Sequence, residues 1–263
     1  MKPIQLEFNS KTSVTNKRAL IFVHGNWHGA WCWHEAWLNY FFEQGYDVHT
    51  FSFRNHGKSE QVGSMRWLRV EDYTDDLEAI HQKITKPVYF IGHSMGGMVT
   101  QKYLERNPIN VKGAVLIASI PPHGVWRVTL KSIFRHPLTF LMVNLSMSLK
   151  PLIKTPELAR ELFVGDDFPQ NDLIPYWKKL QDESYMGFLD SLFLNLPQPK
   201  KVKVPMLVIG GGKDFFFSRK DVDATAKAYS VEAIIYPDAP HNLFMTKGWE
   251  GVASLINNWL SID

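Results

Sequence analysis

Short apolar runs alternate along this chain with longer segments in which apolar residues return every third or fourth position. The runs are Ala19 to Val23, Val48 to Phe53, Val88 to Ile91, Ala114 to Ala118, Met206 to Ile209 and Ala233 to Tyr236. Their nearly unbroken Val, Ile, Leu and Phe content is that of strands covered on both faces. Ile4 to Phe8 alternates polar with apolar instead and predicts an edge strand. Helical spacing is clearest at Val70, Tyr73, Leu77, Ile80 and Ile84. Glu71, Asp72, Asp75 and Asp76 lie early in that segment, where the helix dipole favours acids. Val252, Leu255, Ile256 and Trp259 repeat the spacing near the end. Strands alternating with helices predict an α/β protein whose mostly parallel central sheet carries helices on both faces.

The alternation lapses once. From Pro121 to Lys203 no run reads as a strand, and helix-length pieces (Val128 to Leu149, Glu157 to Phe163, Leu173 to Gln181, Met186 to Leu196) are separated by prolines. This predicts a helical cap over residues 121–203, inserted after the sixth sheet strand of a core made of residues 1–120 and 204–263. The cap's Phe, Leu, Met and Trp residues suit plain core packing, and equally the roof of an apolar pocket.

Composition narrows the picture. A chain of 263 residues buries enough apolar surface to fold without disulfides or metals. The single cysteine, Cys32, rules out an internal disulfide framework and suits a reducing compartment. A net charge of +3 with no basic run gives no reason to expect nucleic acid or an anionic membrane as partner. Met1 to Phe22 has no apolar core of signal-peptide length, and the most apolar stretch, Leu138 to Leu149, is far shorter than a bilayer span. The expectation is a cytoplasmic monomer or homodimer without stable membrane insertion.

The most informative stretch is Val88 to Val99, in which Gly92-His93-Ser94-Met95-Gly96 joins a buried strand to a helical pattern. A Gly-x-Ser-x-Gly pattern alone is weak, since a tight strand-to-helix turn can carry an idle serine. Running out of a strand and into a helix, it has the layout of a nucleophile elbow with Ser94 exposed at the turn. A serine hydroxyl needs a neighbouring imidazole to take its proton. Of ten histidines, His241 lies in a loop just past the last strand, at the sheet edge where the elbow also sits. Asp214 follows Val208 to Lys213, again just past a strand end, and can orient that imidazole. Either could instead be a plain loop residue, but the chain order Ser, Asp, His suits this fold. For the oxyanion of a tetrahedral intermediate, the expected donors are the backbone N–H groups of Met95 and of Asn26, in the loop after the first buried strand.

Other features are discounted. His24 and His28 are four apart, but they lie in a glycine-containing loop without a metal-binding companion motif, so no metal is expected. Gly210 to Gly212 lacks the Gly-Lys-Ser/Thr that a phosphate loop requires. Arg54 to Ser59 reads as a structural turn near the pocket rim, and Cys32 as a small buried filler.

Taken together, the Val23-His24-Gly25 loop, the Arg-x-His-Gly-x-Ser turn at 54–59, the Gly-His-Ser-Met-Gly-Gly elbow and the late Asp and His resemble the α/β-hydrolase superfamily over essentially the whole chain. His24 to Trp33 is similar to the loop of its esterase/hydroxynitrile-lyase branch. His241 to Phe244 with Gly248-Trp249 is closer to lysophospholipase-type and lipase-type members. The resemblance implies serine-dependent hydrolysis of a small-molecule ester with a hydrophobic group, with no cofactor, and a cap that shapes the pocket. Thioesterase or C–C bond hydrolase chemistry on the same triad, and a non-catalytic ligand-binding role, remain alternatives. Two departures matter. Phe215-Phe216-Phe217-Ser218 stands where many relatives have a proline, and Asn242 replaces the lysine of the lyases, which argues against cyanohydrin cleavage.

Overall fold

The computed structural model describes residues 4–261. Among them seven strands form one sheet: β1 (Phe8–Lys11), β2 (Arg18–Val23), β3 (Tyr46–Phe51), β4 (Val88–His93), β5 (Val111–Ile117), β6 (Met206–Gly211) and β7 (Ala233–Tyr236). Their spatial order is β1-β3-β2-β4-β5-β6-β7. Only β1 runs antiparallel, paired with β3 through Phe8↔Phe51 to Lys11↔Val48; every other pairing is parallel. The edge strand thus begins where Ile4 to Phe8 was expected to end, because pairing to β3 sets its position more strongly than its own alternation does.

Parallel neighbours need crossover helices, and right-handed crossovers place them on the two faces. On one face lie α1 (Glu35–Glu43) and the last helix. On the other lie α2 (Val70–His81) and α3 (Met95–Leu104). Period-2 alternation feeds both layers. In β2, Ala19, Ile21 and Val23 join Tyr73, Leu77 and Val99 in one core, while Leu20 and Phe22 join Trp37, Phe41 and Ile256 in the other.

Between β5 and β6 the chain is helical. It forms α4 (Trp126–Arg135), α5 (Pro137–Ser146), α6 (Pro156–Ala159), α7 (Gln170–Lys179) and α8 (Tyr185–Leu189), with wider turns at Arg160–Val164 and Asp190–Leu194. This segment follows the fifth described strand, not the sixth: the four apolar runs and the edge strand before it supply five strands. The single helix expected over Val128 to Leu149 is two, since Pro137 cannot extend α4 and instead opens α5. The segment has its own apolar cluster, in which Val143, Ile153, Phe163 and Leu173 pack with Trp27 of the loop after β2. The chain returns through α9 (Arg219–Ala228) between β6 and β7, and ends in α10 (Trp249–Leu260). No helix among the described residues is long and apolar enough to cross a membrane.

The strand order fixes where a site can form. From β2 the chain turns to β3 on one side and then to β4 on the other, so the order reverses between β2 and β4. At such a switch point the loops leaving the carboxyl ends diverge and open a crevice. Val23 pairs with Gly92, so the loop beginning at His24 leaves the sheet beside His93, the last residue of β4.

Candidate active site

At the end of β4 the chain turns through Ser94, whose backbone is left-handed (φ 53°, ψ −118°). A non-glycine residue is strained there and persists only where its surroundings hold it. Here the Ser94 N–H donates to the Ile117 carbonyl at 3.1 Å, and the Ser94 carbonyl accepts from the N–H groups of Gly97, Met98 and Ile120 at 3.1–3.2 Å. The flanking glycines are required by space. A Cβ on Gly96 would stand 2.2 Å from the Val23 carbonyl oxygen, and one on Gly25 2.8 Å from the Cβ of Ser94. The loop after β2 and the turn after β4 are therefore in backbone contact.

The loops after β6 and β7 bring two more groups to that edge. His241 Nε2 lies 3.0 Å from Ser94 Oγ, and its Nδ1 lies 2.8 Å from Asp214 Oδ2. The other Asp214 oxygen accepts from the N–H groups of Phe216 and Phe217, at 2.7 and 3.2 Å. With a carboxylate that can only accept at Nδ1, that nitrogen carries the proton, which leaves Nε2 free to accept from the serine hydroxyl. The imidazole is buried against the Phe216 ring, 4.6 Å between centroids, and beside His93 at 4.7 Å. His93 Nε2–H donates to the His241 carbonyl at 3.2 Å. Burial first, then the neighbouring His241, holds the His93 pKa well below the usual value, so this contact is made by a neutral ring. The phenylalanine run thus supplies both the amides behind Asp214 and the wall beside the imidazole.

Asn26 follows Gly25 in the loop after β2, and Met95 follows Ser94. Among the described residues neither backbone N–H has a protein acceptor, and Asn26 and Ser94 line one cavity. Three groups hold the Asn26 loop. His24 Nδ1–H donates to the Gly25 carbonyl at 2.9 Å, while its Nε2 accepts from the Phe53 N–H. Since the peptide is planar, fixing the Gly25 carbonyl also aims the Asn26 N–H on its far side. His28 Nδ1–H donates to the Asn26 carbonyl at 2.6 Å and its Nε2 faces the Tyr176 hydroxyl at 2.9 Å. Third, the Trp27 N–H donates to Glu183 Oε2 at 2.9 Å. In each ring Nδ1 donates and Nε2 accepts, as in a neutral imidazole, His28 Nε2 also facing the Asn242 amide at 3.3 Å; burial above all holds both pKa values down, that of His28 to about 4.

Glu183, between α7 and α8, is buried and was not singled out from the sequence. Besides Trp27 its carboxylate accepts from His56 Nε2 at 3.0 Å, the Tyr73 hydroxyl at 3.2 Å and the Ser184 N–H at 3.1 Å. His56 Nδ1 donates to the Arg54 carbonyl at 3.0 Å. Both ring nitrogens of His56 face pure acceptors, the arrangement of an imidazolium. Burial opposes that charge, but Glu183 outweighs it and raises the His56 pKa; the same pair lowers that of Glu183 against its own burial. The turn at 54–59, read from the sequence as structural, carries this cation and is tied to α2 by Arg54, which forks onto Asp76 at 2.8–3.1 Å and reaches Asp72 at 3.0 Å. Nothing in the short link between α7 and α8 announces a lone buried carboxylate; the His-Gly pair at 56–57 was the available signal.

The cavity over Ser94 encloses about 640 Å³, its open mouth included, and its wall is mostly apolar. Val128 of α4, Phe140 and Val143 of α5, Phe188 of α8 and Phe216 form much of it. Asn242 does not enter it: its amide turns toward Tyr176 and Met245, at 3.2 and 3.4 Å. No cluster of three His, Cys, Asp or Glu side chains among the described residues is placed to hold a metal, and the His24 and His28 nitrogens are engaged as described. Cys32 is buried in the apolar core beneath.

The sequence profile of the alpha/beta hydrolase family matches residues 20–255. A bifunctional esterase/perhydrolase of Acinetobacter calcoaceticus is 26% identical over 87% of both chains. Esterase EstD of Thermotoga maritima is 26% identical over 66% of this chain, but the match spans only 40% of that esterase. Among solved structures, an esterase from Exiguobacterium antarcticum superposes with a TM-score of 0.77 over 98% of this chain and 96% of its own, at 16% identity.

Proposed function

This chain belongs to the alpha/beta hydrolase family, and on that premise we propose that it is a serine hydrolase cleaving a carboxylic ester through an acyl-enzyme on Ser94. The observation that carries the reading is the unbroken hydrogen-bonded line from Ser94 Oγ through His241 to Asp214. Ser94 Oγ attacks the ester carbonyl carbon while His241 Nε2 takes its proton. The new oxyanion is received by the N–H groups of Asn26 and Met95, donors of a kind worth about 3–4 kcal/mol each. As the intermediate collapses, the C–O bond to the alcohol breaks and His241 returns the proton to it. Water then attacks the acyl-enzyme by the same steps reversed, and the acid leaves. Asp214 keeps the imidazole in the productive tautomer and balances its transient charge.

The helical segment over residues 121–203 acts as a cap, and the apolar wall it gives the cavity favours an ester with a hydrophobic acyl or alkyl group. The esterase names of the relatives from Acinetobacter and Thermotoga point the same way. The test is turnover of p-nitrophenyl esters from acetate to palmitate by the wild-type protein and Ser94→Ala, with acyl-CoA and β-diketone substrates in parallel. Hydrolysis of esters that disappears in Ser94→Ala supports the proposal; activity that survives the substitution overturns it.

A further inference from the structure

Resting on that reading, we infer that Glu183, contributed by the helical segment, is a positioning residue for the oxyanion site: it holds the peptide after Asn26 through the Trp27 N–H. Two observations converge. Trp27 has φ 63°, a left-handed conformation that an indole-bearing residue does not adopt without an external hold. The hold is visible, since its N–H meets a buried carboxylate at 2.9 Å. A charged acceptor makes that bond stronger than one between neutral groups.

The carboxylate is itself placed. Oε2 takes the Trp27 N–H and the His56 imidazolium, and Oε1 takes the Tyr73 hydroxyl and the Ser184 N–H. Four donors and no other acceptor converge on one side chain, so only an ionised carboxylate satisfies all of them. Glutamine, of nearly the same shape, would turn an NH2 group toward two of those donors. Released from Glu183, Trp27 relaxes toward the right-handed region; the peptide between Asn26 and Trp27, then held only at its carbonyl by His28, rotates, and the accompanying shift of the Asn26 Cα draws the Asn26 N–H of the preceding peptide off its aim. The loss falls on the transition state, because the oxyanion is absent from the bound ester and develops only on the way to the tetrahedral intermediate.

The experiment compares wild-type protein, Glu183→Gln and His56→Gln, each checked for folding by thermal unfolding, with p-nitrophenyl butyrate as substrate. The expected result for both variants is a kcat lower by about 10- to 100-fold, less than the loss of a whole oxyanion donor, with KM changed by no more than about twofold. Inhibition by butaneboronic acid, whose serine adduct is a tetrahedral anion, should weaken by the same factor, while inhibition by butyrate stays unchanged. Wild-type kcat and boronate affinity in a folded variant overturn the inference, as does an equal weakening of boronate, butyrate and substrate binding, which is the mark of general disruption. If neither variant folds, amide exchange in the wild-type protein decides: slow exchange at Trp27 supports the hold and fast exchange refutes it. A wild-type protein that cleaves no ester defeats the serine hydrolase reading instead, a separate outcome.

Discussion

His241 Nε2 sits 3.0 Å from Ser94 Oγ although 147 residues separate the two in the chain, and each is delivered by the loop that leaves a different parallel strand. The contact needs no support from substrate, which makes its energetic partner, Asp214, directly testable. Asp214→Asn preserves the shape but presents an amide to Nδ1, so the imidazole can take the tautomer whose Nε2 carries a proton. The expected outcome is a kcat lower by about 10⁴ with KM little changed, read from initial rates with a p-nitrophenyl ester. A loss of less than tenfold would exclude Asp214 from the role.

Glycine positions give two predictions of opposite sign. Gly96→Ala places a Cβ 2.2 Å from the Val23 carbonyl oxygen, where only backbone could yield. A destabilisation of about 3 kcal/mol or more is expected, with loss of activity. Gly251 lies exposed in α10, and a methyl group added there would meet only the Tyr236 ring edge, at 3.8 Å. There Gly251→Ala should stabilise by about 1 kcal/mol and leave activity alone. Urea unfolding of both variants is the check.

Stability should fall on the acid side earlier than carboxylates alone would cause. His24, His28 and His93 are buried with lowered pKa values, so between the folded values and 6.5 the unfolded chain binds more protons than the native one. Their contribution is complete above pH 6.5 and is lost as the pH drops toward the folded values, which for His28 is about 4. His28 alone accounts for roughly 3 kcal/mol of the change. His56 has the opposite sign: with its pKa raised, its contribution is intact below 6.5 and is lost as pH rises through the folded value. Calorimetry across pH 4 to 8 should show the melting temperature declining from about 6.5 downward, by roughly 6–12 °C for 3 kcal/mol. A flat profile down to pH 4.5 would contradict the burial of neutral imidazoles.

Chain-length preference should follow the wall of the cavity. Val128 of α4 faces the space above Ser94, and Val128→Phe fills part of it. Relative to wild type, kcat/KM for long acyl esters should fall by about tenfold or more, while acetate esters change little. Equal losses at all lengths would mean that the acyl group lies elsewhere.

The candidate residues Ser94, Asp214 and His241 share one property: each follows a strand recognisable in the sequence, so their common edge follows from strand direction alone. Asn26 and Met95 were reached by the same logic. Glu183 was not, because its partners Trp27, His56 and Tyr73 belong to three other elements, and no local period marks a carboxylate that will be buried by contacts across more than 100 positions. The turn at 54–59 was undervalued for the same reason. Within the helical segment, boundaries failed where proline and wide turns interrupt the period, as at Pro137 and at Asp190–Leu194.

The anchoring of the helical segment also bears on how such proteins can be recombined. Its stretch from Glu183 to Ser191 is fastened to the sheet side by buried charges: Glu183 under His56, and Asp190 gripped by Arg69 and by the Val70 N–H at 3.0 Å. The α4–α5 half, with Phe134, Leu138 and Leu145 largely exposed, is rooted at its start, where Arg127 reaches the buried Asp221 of α9 at 3.0 Å and Lys131 donates to the Phe215 carbonyl at 2.7 Å. A foreign roof grafted onto this scaffold would therefore have to keep a carboxylate at position 183 and a cation facing Asp221, or leave a stranded imidazolium at one root and an unpaired buried carboxylate at the other.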